Sequence, residues 1–374
     1  MRSTNVLIDL SALEWNLGVV RRRTDGRKVL GMVKANAYGH GIVQVSKVLQ
    51  SNQIDMLGVA FVDEGVLLRE AGIQIPIMVL TPPERSDVAD ILRFDLTTVV
   101  SNIQEAEVLN AAASARRPRV HVYIDTGMRR DGVRAEHAVA FVEALGYCTN
   151  LDVEGICTHL ATSEEPDSAF VREQLSTFAA VLRQLSARGH TFAIVHAANT
   201  GGIWQSAQSM FTMVRPGLSL YGYAPPHDDI FTLRPVMSIV SKVLSLRTVH
   251  AGETVSYGRR WMASQDTTIA TIPLGYGDGY LRALTGKASC LIHGKTFPIV
   301  GTICMDECMV DVGDYSVEVG DDVVMLGRQS NAEGHVQSID ALDIANWANT
   351  IPYEITTAIS ARVPRIYVKD VIHV

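Results

Sequence analysis

The sequence predicts an α/β chain in two parts: an N-terminal (β/α)8 barrel of the TIM type over residues 1–233, then a mostly β domain over 234–374. Three observations predict it. Through the first part, eight short apolar runs alternate with longer amphipathic ones. Those runs are nearly continuous in hydrophobicity, as parallel strands covered on both faces must be. Beyond about Arg234 the texture changes, and strand-like runs follow one another through Gly and Asp turns. At 374 residues the chain exceeds one ordinary core, which suits two domains.

The eight runs of the first part are Val29–Val33, Met56–Phe61, Ile75–Leu80, Leu96–Val100, Val120–Ile124, Leu151–Thr158, Phe192–His196 and Phe211–Tyr221. Between them, Asn102–Arg116, Ala135–Leu145 and Asp167–Arg188 carry apolar positions three and four apart, the helical period. In the second part the expected strands are Val236–Val249, Thr267–Ile272, Ser289–Val300, Met309–Val312 and Asp322–Leu326, with one long helical pattern over Ile339–Asn349.

Composition excludes several classes. The 33 basic residues are outnumbered by 40 acidic ones, which argues against a nucleic-acid partner. No stretch approaches the roughly 20 apolar residues of a membrane span. The amino terminus reaches Asp9 before a signal-peptide apolar region can build, so a cytoplasmic location is expected. Five cysteines with no C-x-x-C pair read as reduced, mostly buried thiols, with no metal site.

In such a barrel the chemistry sits just beyond the carboxyl ends of the strands. The first run ends in Val33-Lys34-Ala35-Asn36-Ala37-Tyr38-Gly39-His40-Gly41. The fifth ends in Ile124-Asp125-Thr126-Gly127-Met128-Arg129-Arg130, and the sixth in Thr158-His159. The seventh ends in His196-Ala197-Ala198-Asn199-Thr200-Gly201-Gly202, and the eighth carries Val214-Arg215-Pro216-Gly217-Leu218. On its own, a lysine ending an apolar strand snorkels its charge to the surface. Small-residue loops after strands seven and eight, of the kind that bind phosphate through backbone N–H groups, favour a different reading. The set describes an anion-binding pocket holding one amine, which is what pyridoxal phosphate requires.

At these residues the chain resembles the alanine racemase family, whose cofactor-attachment motif is similar to Val33–Gly41. The resemblance continues through Asp125–Met128, Thr158-His159, His196–Asn199 and Met213–Arg215. In the second part it takes in Val255–Gly258, Gly275–Gly279, Cys304–Asp306 and Arg362–Arg365. It runs in order through essentially the whole chain. It implies interconversion of L-alanine and D-alanine with pyridoxal 5′-phosphate, supplying D-alanine for peptidoglycan synthesis.

Residue by residue, the resemblance implies that Lys34 carries the cofactor as a Schiff base and serves as one catalytic base. Tyr257 would be the second, on the opposite substrate face, reached from the other subunit of a homodimer. A racemase needs two because the proton leaves one face and arrives at the other. A phenol with an ordinary pKa of about 10 is a poor base at neutral pH, so its site should favour the phenolate. Taken alone, Tyr257 could be a strand aromatic packed on a neighbour, but its Ser-Tyr-Gly turn and its match to the family motif outweigh that reading. Arg215 would face the ring nitrogen, donating a hydrogen bond without yielding a proton. Tyr38, Thr200, Gly217, Leu218 and Tyr353 match phosphate-cradle positions, and His159 and Asn199 further cofactor contacts. Arg130 would anchor the substrate carboxylate. Met305 and Asp306 would close the site from the second subunit, and Tyr276 and Tyr353 would narrow the entrance. Asp306 also reads as a turn aspartate capping a backbone N–H.

Three positions depart from the family pattern. Many relatives carry a carbamylated lysine two residues before the Asp-Thr-Gly, where this chain has Tyr123, so Arg130 must be positioned by something else. Arg129 stands where a small or neutral residue is usual and crowds positive charge beside Arg130. Pro352 replaces an asparagine before Tyr353. The nearest alternative is a broad-specificity or serine racemase, separated only by the entrance residues. Fold-related decarboxylases place a carboxylate at the ring nitrogen, against which Arg215 counts. Non-enzymatic pyridoxal-phosphate carriers lack the second domain that holds Tyr257.

Overall fold

The computed structural model describes residues 3–113, 116–225 and 232–369. It divides the chain into two units. Among the described residues of the first, eight parallel strands close into a barrel: Lys28–Met32, Met56–Val59, Ile77–Val79, Thr97–Val100, Arg119–Asp125, Asp152–Cys157, Ile194–His196 and Met213–Val214. The ring closes where the eighth strand meets the first, Met213 pairing with Lys28, and is continuous through Thr98 pairing with Val120 between strands four and five. Each strand overlaps one of the eight predicted runs, but of Phe211–Tyr221 only Met213–Val214 is strand and Leu218–Tyr221 is a 3-10 turn. The physical reason for the overlap is burial on both faces: Val29, Leu30, Leu57, Val99, Val122 and Ile156 are all buried.

The predicted helices form between them. Asn102 caps Ile103–Ala112, its side chain accepting from the Glu105 N–H. Residues 114–115 of the expected Asn102–Arg116 segment lie outside the described residues. Ser168 caps Ala169–Ser186 in the same way.

The second unit is built on a mixed sheet, ten-stranded among the described residues. Its order is Ser245–Val249, Thr267–Ile272, Cys308–Gly313, Lys295–Val300, Ser289–Ile292, Asp322–Ser330, Met237–Lys242, Asn5–Asp9 and Arg365–Val368, with Val336–Ile339 pairing off Asp322–Ser330. Two runs read as single strands are each two. Ser289–Val300 is a hairpin turning at His293 and Gly294, both at positive φ (50° and 69°), as a tight two-residue turn demands. Val236–Val249 breaks after Lys242. The helix expected over Ile339–Asn349 spans Ala341–Ala348, capped by Asp340.

The boundary at 233/234 needs correction at the amino terminus. Residues 3–13 and 38–41 belong with the β unit. Asn5–Asp9 pairs antiparallel with Met237–Lys242 and parallel with Arg365–Val368, satisfying backbone groups that no local partner could. No helix among the described residues is long and apolar enough to cross a membrane.

Candidate active site

Within the barrel unit, Lys34 follows the first strand directly, and the backbone then does something the sequence did not suggest. Ala35, Asn36, Ala37 and Tyr38 all have φ between 52° and 55°, a full turn of left-handed backbone built without glycine. Two of its amides and one of its side chains are held. Glu64 Oε1 accepts from Ala35 N at 2.6 Å, and the Ala37 N–H donates to Val33 O at 2.7 Å. Asn36 Oδ1 accepts from Ile42 N at 2.9 Å. The turn holds Lys34 half-buried. Burial, then the charges of Arg130 and Arg215, push its ammonium pKa below the ordinary lysine value, with Glu64 opposing. The neutral amine that a covalent-attachment lysine needs is thereby favoured.

Arg215, beyond the eighth strand, is 5% exposed. Its Nη1 donates to His196 Nδ1 at 2.7 Å, and its Nη2 lies 3.0–3.1 Å from Thr158 O, Ala197 O and His159 Nδ1. None of these contacts uses Nε. The lone surface salt bridge that an arginine could form is thus not its situation. His159 accepts from the guanidinium, and burial together with Arg215, Arg130 and Lys34 pushes its pKa down to about 3. It is a neutral imidazole.

Beside them, Thr200 Oγ1 accepts from the backbone N–H groups of Gly217 (3.1 Å) and Ser219 (3.3 Å), tying together the loops after strands seven and eight. Asn199 serves as the N-cap of Thr200–Gln205, accepting from Gly202 N at 3.0 Å. The polar loops, a cation with a fixed donor face and an amine tilted towards neutrality fit the phosphate, ring nitrogen and aldehyde of pyridoxal phosphate.

The support for Arg130 comes from Tyr123, which lies two residues before Asp125 and is buried against Val99 and Cys157. Its phenol interacts electrostatically with the Arg130 side chain, and burial raises the phenol's pKa, so it stays protonated at neutral pH. Arg130 Nε also meets Asp131 at 3.1 Å. Arg129 is drawn off by Asp125, 3.0 Å from its Nη1, which separates the two adjacent cations.

Within the β unit, the remaining candidates gather on three interlocked loops. Thr302 Oγ1 donates to Tyr257 O at 2.7 Å, Tyr276 N to Cys304 O at 3.0 Å, and Gly277 N to Met305 O at 2.8 Å. Arg362 bridges Asp306 (2.7 Å) and the buried Asp278 (3.3 Å), so Asp306 is held by an ion pair and is not merely a turn cap. The group is exposed: Tyr257 is 73%, Met305 52% and Tyr276 41% accessible. Tyr257 is therefore not a packed strand aromatic. Tyr38 and Tyr353 lie together in the same unit, ring centroids 5.8 Å apart. Pro352 takes the first helical position of Pro352–Ala358, where its missing N–H costs nothing. The five cysteines are free, all but Cys304 buried.

A half-buried amine, an obligate-donor arginine and phosphate-type loops at the mouth of a TIM-type barrel, in one chain with a β domain, define a pyridoxal-phosphate enzyme class. Comparison with known proteins supplies the particular family. Residues 8–225 match the alanine racemase N-terminal domain, and 236–367 the alanine racemase C-terminal domain. The chain is 42% identical to the alanine racemase of Cutibacterium acnes, covering 98% of each. It superimposes on the Bacillus anthracis alanine racemase with bound L-Ala-P at a TM-score of 0.91 and 32% identity, over 99% of this chain and 96% of that one. The Bartonella henselae alanine racemase, solved with covalently bound pyridoxal phosphate, gives a TM-score of 0.89 at 27% identity over 98% and 100%. The chain belongs to the alanine racemase family, a family of pyridoxal-phosphate-dependent isomerases that supply D-alanine.

Proposed function

We propose that this chain interconverts L-alanine and D-alanine by a two-base mechanism, with pyridoxal phosphate carried on Lys34. The observation that carries the reading is the state of that amine: half-buried at the end of the first strand and pushed towards neutrality by burial, Arg130 and Arg215. Thr200, Gly217 and Leu218 would hold the phosphate, and His159 and Asn199 would line the ring. When bound, the cofactor supplies the electron sink that lets the α-proton leave.

The protein's own work is positioning and proton traffic. The Arg130 guanidinium binds the substrate carboxylate, held by the Tyr123 phenol and Asp131. Arg215, a donor that does not yield its proton, would face the ring nitrogen of the bound cofactor and so favour return of the α-proton over transamination. The Lys34 amine takes or returns that proton on one face, and the Tyr257 phenol oxygen does so on the other.

We further infer a homodimer in which Tyr257, Met305, Asp306 and Tyr276 complete the partner's site. Support comes from their exposure: aromatic and thioether surface gathered on one set of loops is typical of a surface that another chain covers. A broad-specificity or serine racemase is the rival reading. Incubating the purified protein with a panel of L-amino acids and resolving products by chiral chromatography decides. D-alanine as the dominant product is expected, and equal conversion of serine would replace the proposal with its rival.

A further inference from the structure

Behind Arg215 lies a chain of buried groups to which neither the sequence motifs nor the proposed mechanism gives a role. His196 Nδ1 lies 2.7 Å from Arg215 Nη1, and His196 Nε2 lies 2.9 Å from His121 Nδ1. His121 Nε2 in turn lies 3.3 Å from Glu154 Oε2. The four side chains come from or just beyond strands eight, seven, five and six of the barrel. Both imidazoles are fully buried, while the Glu154 side chain is 24% exposed.

The direction of every link follows from one fact: a guanidinium has donors only. Arg215 must donate, so His196 Nδ1 must be bare. A neutral His196 then carries its proton on Nε2 and donates to His121 Nδ1, which must also be bare. His121 therefore carries its proton on Nε2 and donates to the Glu154 carboxylate. Burial lowers the pKa of both histidines, which keeps each at the single proton this ordering requires. The fold makes room for the arrangement at Gly155, where a Cβ would fall 2.5 Å from His121 Cε1 and Nδ1.

We propose that Glu154 is a positioning residue for Arg215, acting at the far end of a one-way relay, Arg215 to His196 to His121 to Glu154. With an acceptor at the end, each imidazole has one allowed tautomer, and His196 always presents a lone pair to the guanidinium. Without it, the buried His121 Nε2–H has no acceptor, and turning that proton inward competes with the order that Arg215 imposes from the other end. In that competing order His196 takes the other tautomer, and its Nδ1–H opposes an arginine N–H across 2.7 Å. The arginine must then move off its seat. The carboxylate also places a negative charge at the end of a polarised hydrogen-bond chain, balancing a buried cation.

The functional consequence rests on the reading of Arg215 as the ring-nitrogen partner, whereas the tautomer order does not, so the two are measured separately. In the holoenzyme labelled with 15N-histidine, His196 and His121 should both show bare Nδ1 and protonated Nε2, with assignments from His196→Gln and His121→Gln. Glu154→Leu should abolish the single-tautomer pattern at both rings. It should weaken pyridoxal phosphate binding by the reconstituted apoprotein about tenfold, the worth of one charge-assisted hydrogen bond. Glu154→Gln, which keeps an acceptor oxygen, should restore the tautomers and most of the affinity. Gly155→Ala, which displaces the His121 ring, should reproduce the Glu154→Leu pattern if it folds. A proton on His196 Nδ1 in the unaltered protein, tautomers unmoved in Glu154→Leu, or unchanged cofactor affinity in that variant would each overturn the proposal. If the tautomers shift as stated but Arg215→Ala leaves the cofactor's visible spectrum unchanged, the ring-nitrogen reading falls and the ordering of the relay stands.

Discussion

Replacing Tyr123 by phenylalanine tests how this chain manages without the anionic support for which many relatives use a modified lysine. The substitution removes one oxygen and leaves the ring packed against Val99 and Cys157, so stability should change by less than about 1.5 kcal/mol. What disappears is the phenol's polar interaction with a charged group, for which a full hydrogen bond of about 1.5–3 kcal/mol, or roughly 10- to 150-fold in an equilibrium constant, is the upper bound. Two features pull the expectation to the lower end. Arg130 keeps its contact to Asp131 at 3.1 Å, and its side chain is 55% exposed, so water screens part of the loss. Because a carboxylate anchor acts alike on bound substrate and transition state, the loss should appear as a KM for alanine raised about tenfold with kcat nearly unchanged. Initial rates in both directions, followed by chiral chromatography, provide the assay. An unchanged KM, or a kcat falling in step with kcat/KM, would refute the argument.

Borohydride reduction and peptide mapping should place the pyridoxyl group on Lys34, and Lys34→Ala should abolish the visible Schiff-base absorption. Because the Lys34 pKa is lowered, its neutral form persists to lower pH than that of a free lysine. Cofactor capture by the apoprotein should therefore fall off at a lower pH than for a lysine peptide, and a matching profile would remove the electrostatic argument. Mixing inactive Lys34→Ala and Tyr257→Phe subunits should restore part of the activity through hybrid sites, and no recovery despite subunit exchange would reject shared sites. Tyr257→Phe should lower racemisation by more than the roughly 10²–10⁴ of a single general base, since the cycle then lacks its second proton carrier. In deuterium oxide that variant should wash out the α-hydrogen of D-alanine faster than that of L-alanine, and equal rates would mean one base serves both faces.

The barrel was legible because burial on two faces leaves a run such as Val120–Ile124 little choice of residue. The pairing of Asn5–Asp9 with Arg365–Val368 was not, because it joins segments some 360 positions apart and nothing local records it. Lys34, Arg215 and Arg130 could be placed from their positions after strands. The hold on Arg130 could not, although Tyr123 and His121 are polar intrusions in an apolar strand and share one face with Asp125. That alternation was the available signal for both the phenol contact and the relay. Glu154 had no comparable mark, being one carboxylate in a mixed stretch.

The left-handed turn after Lys34 has a consequence for how the molecule loosens. Alanine, asparagine and tyrosine in that conformation each cost about 1–2 kcal/mol relative to ordinary backbone, a sizeable part of the 5–15 kcal/mol that keeps a typical domain folded. The turn persists only while Glu64, Val33 and Ile42 grip it. It is a spring held shut from outside, and on warming the amides of Ala35 and Ala37 should exchange with solvent before those of the strand that precedes them. Glycine, ordinarily the weakest choice for an ordered segment, would relax the spring at Ala35 or Ala37. The residue that carries the chemistry is thus mounted on the part of the barrel rim with most to gain from letting go.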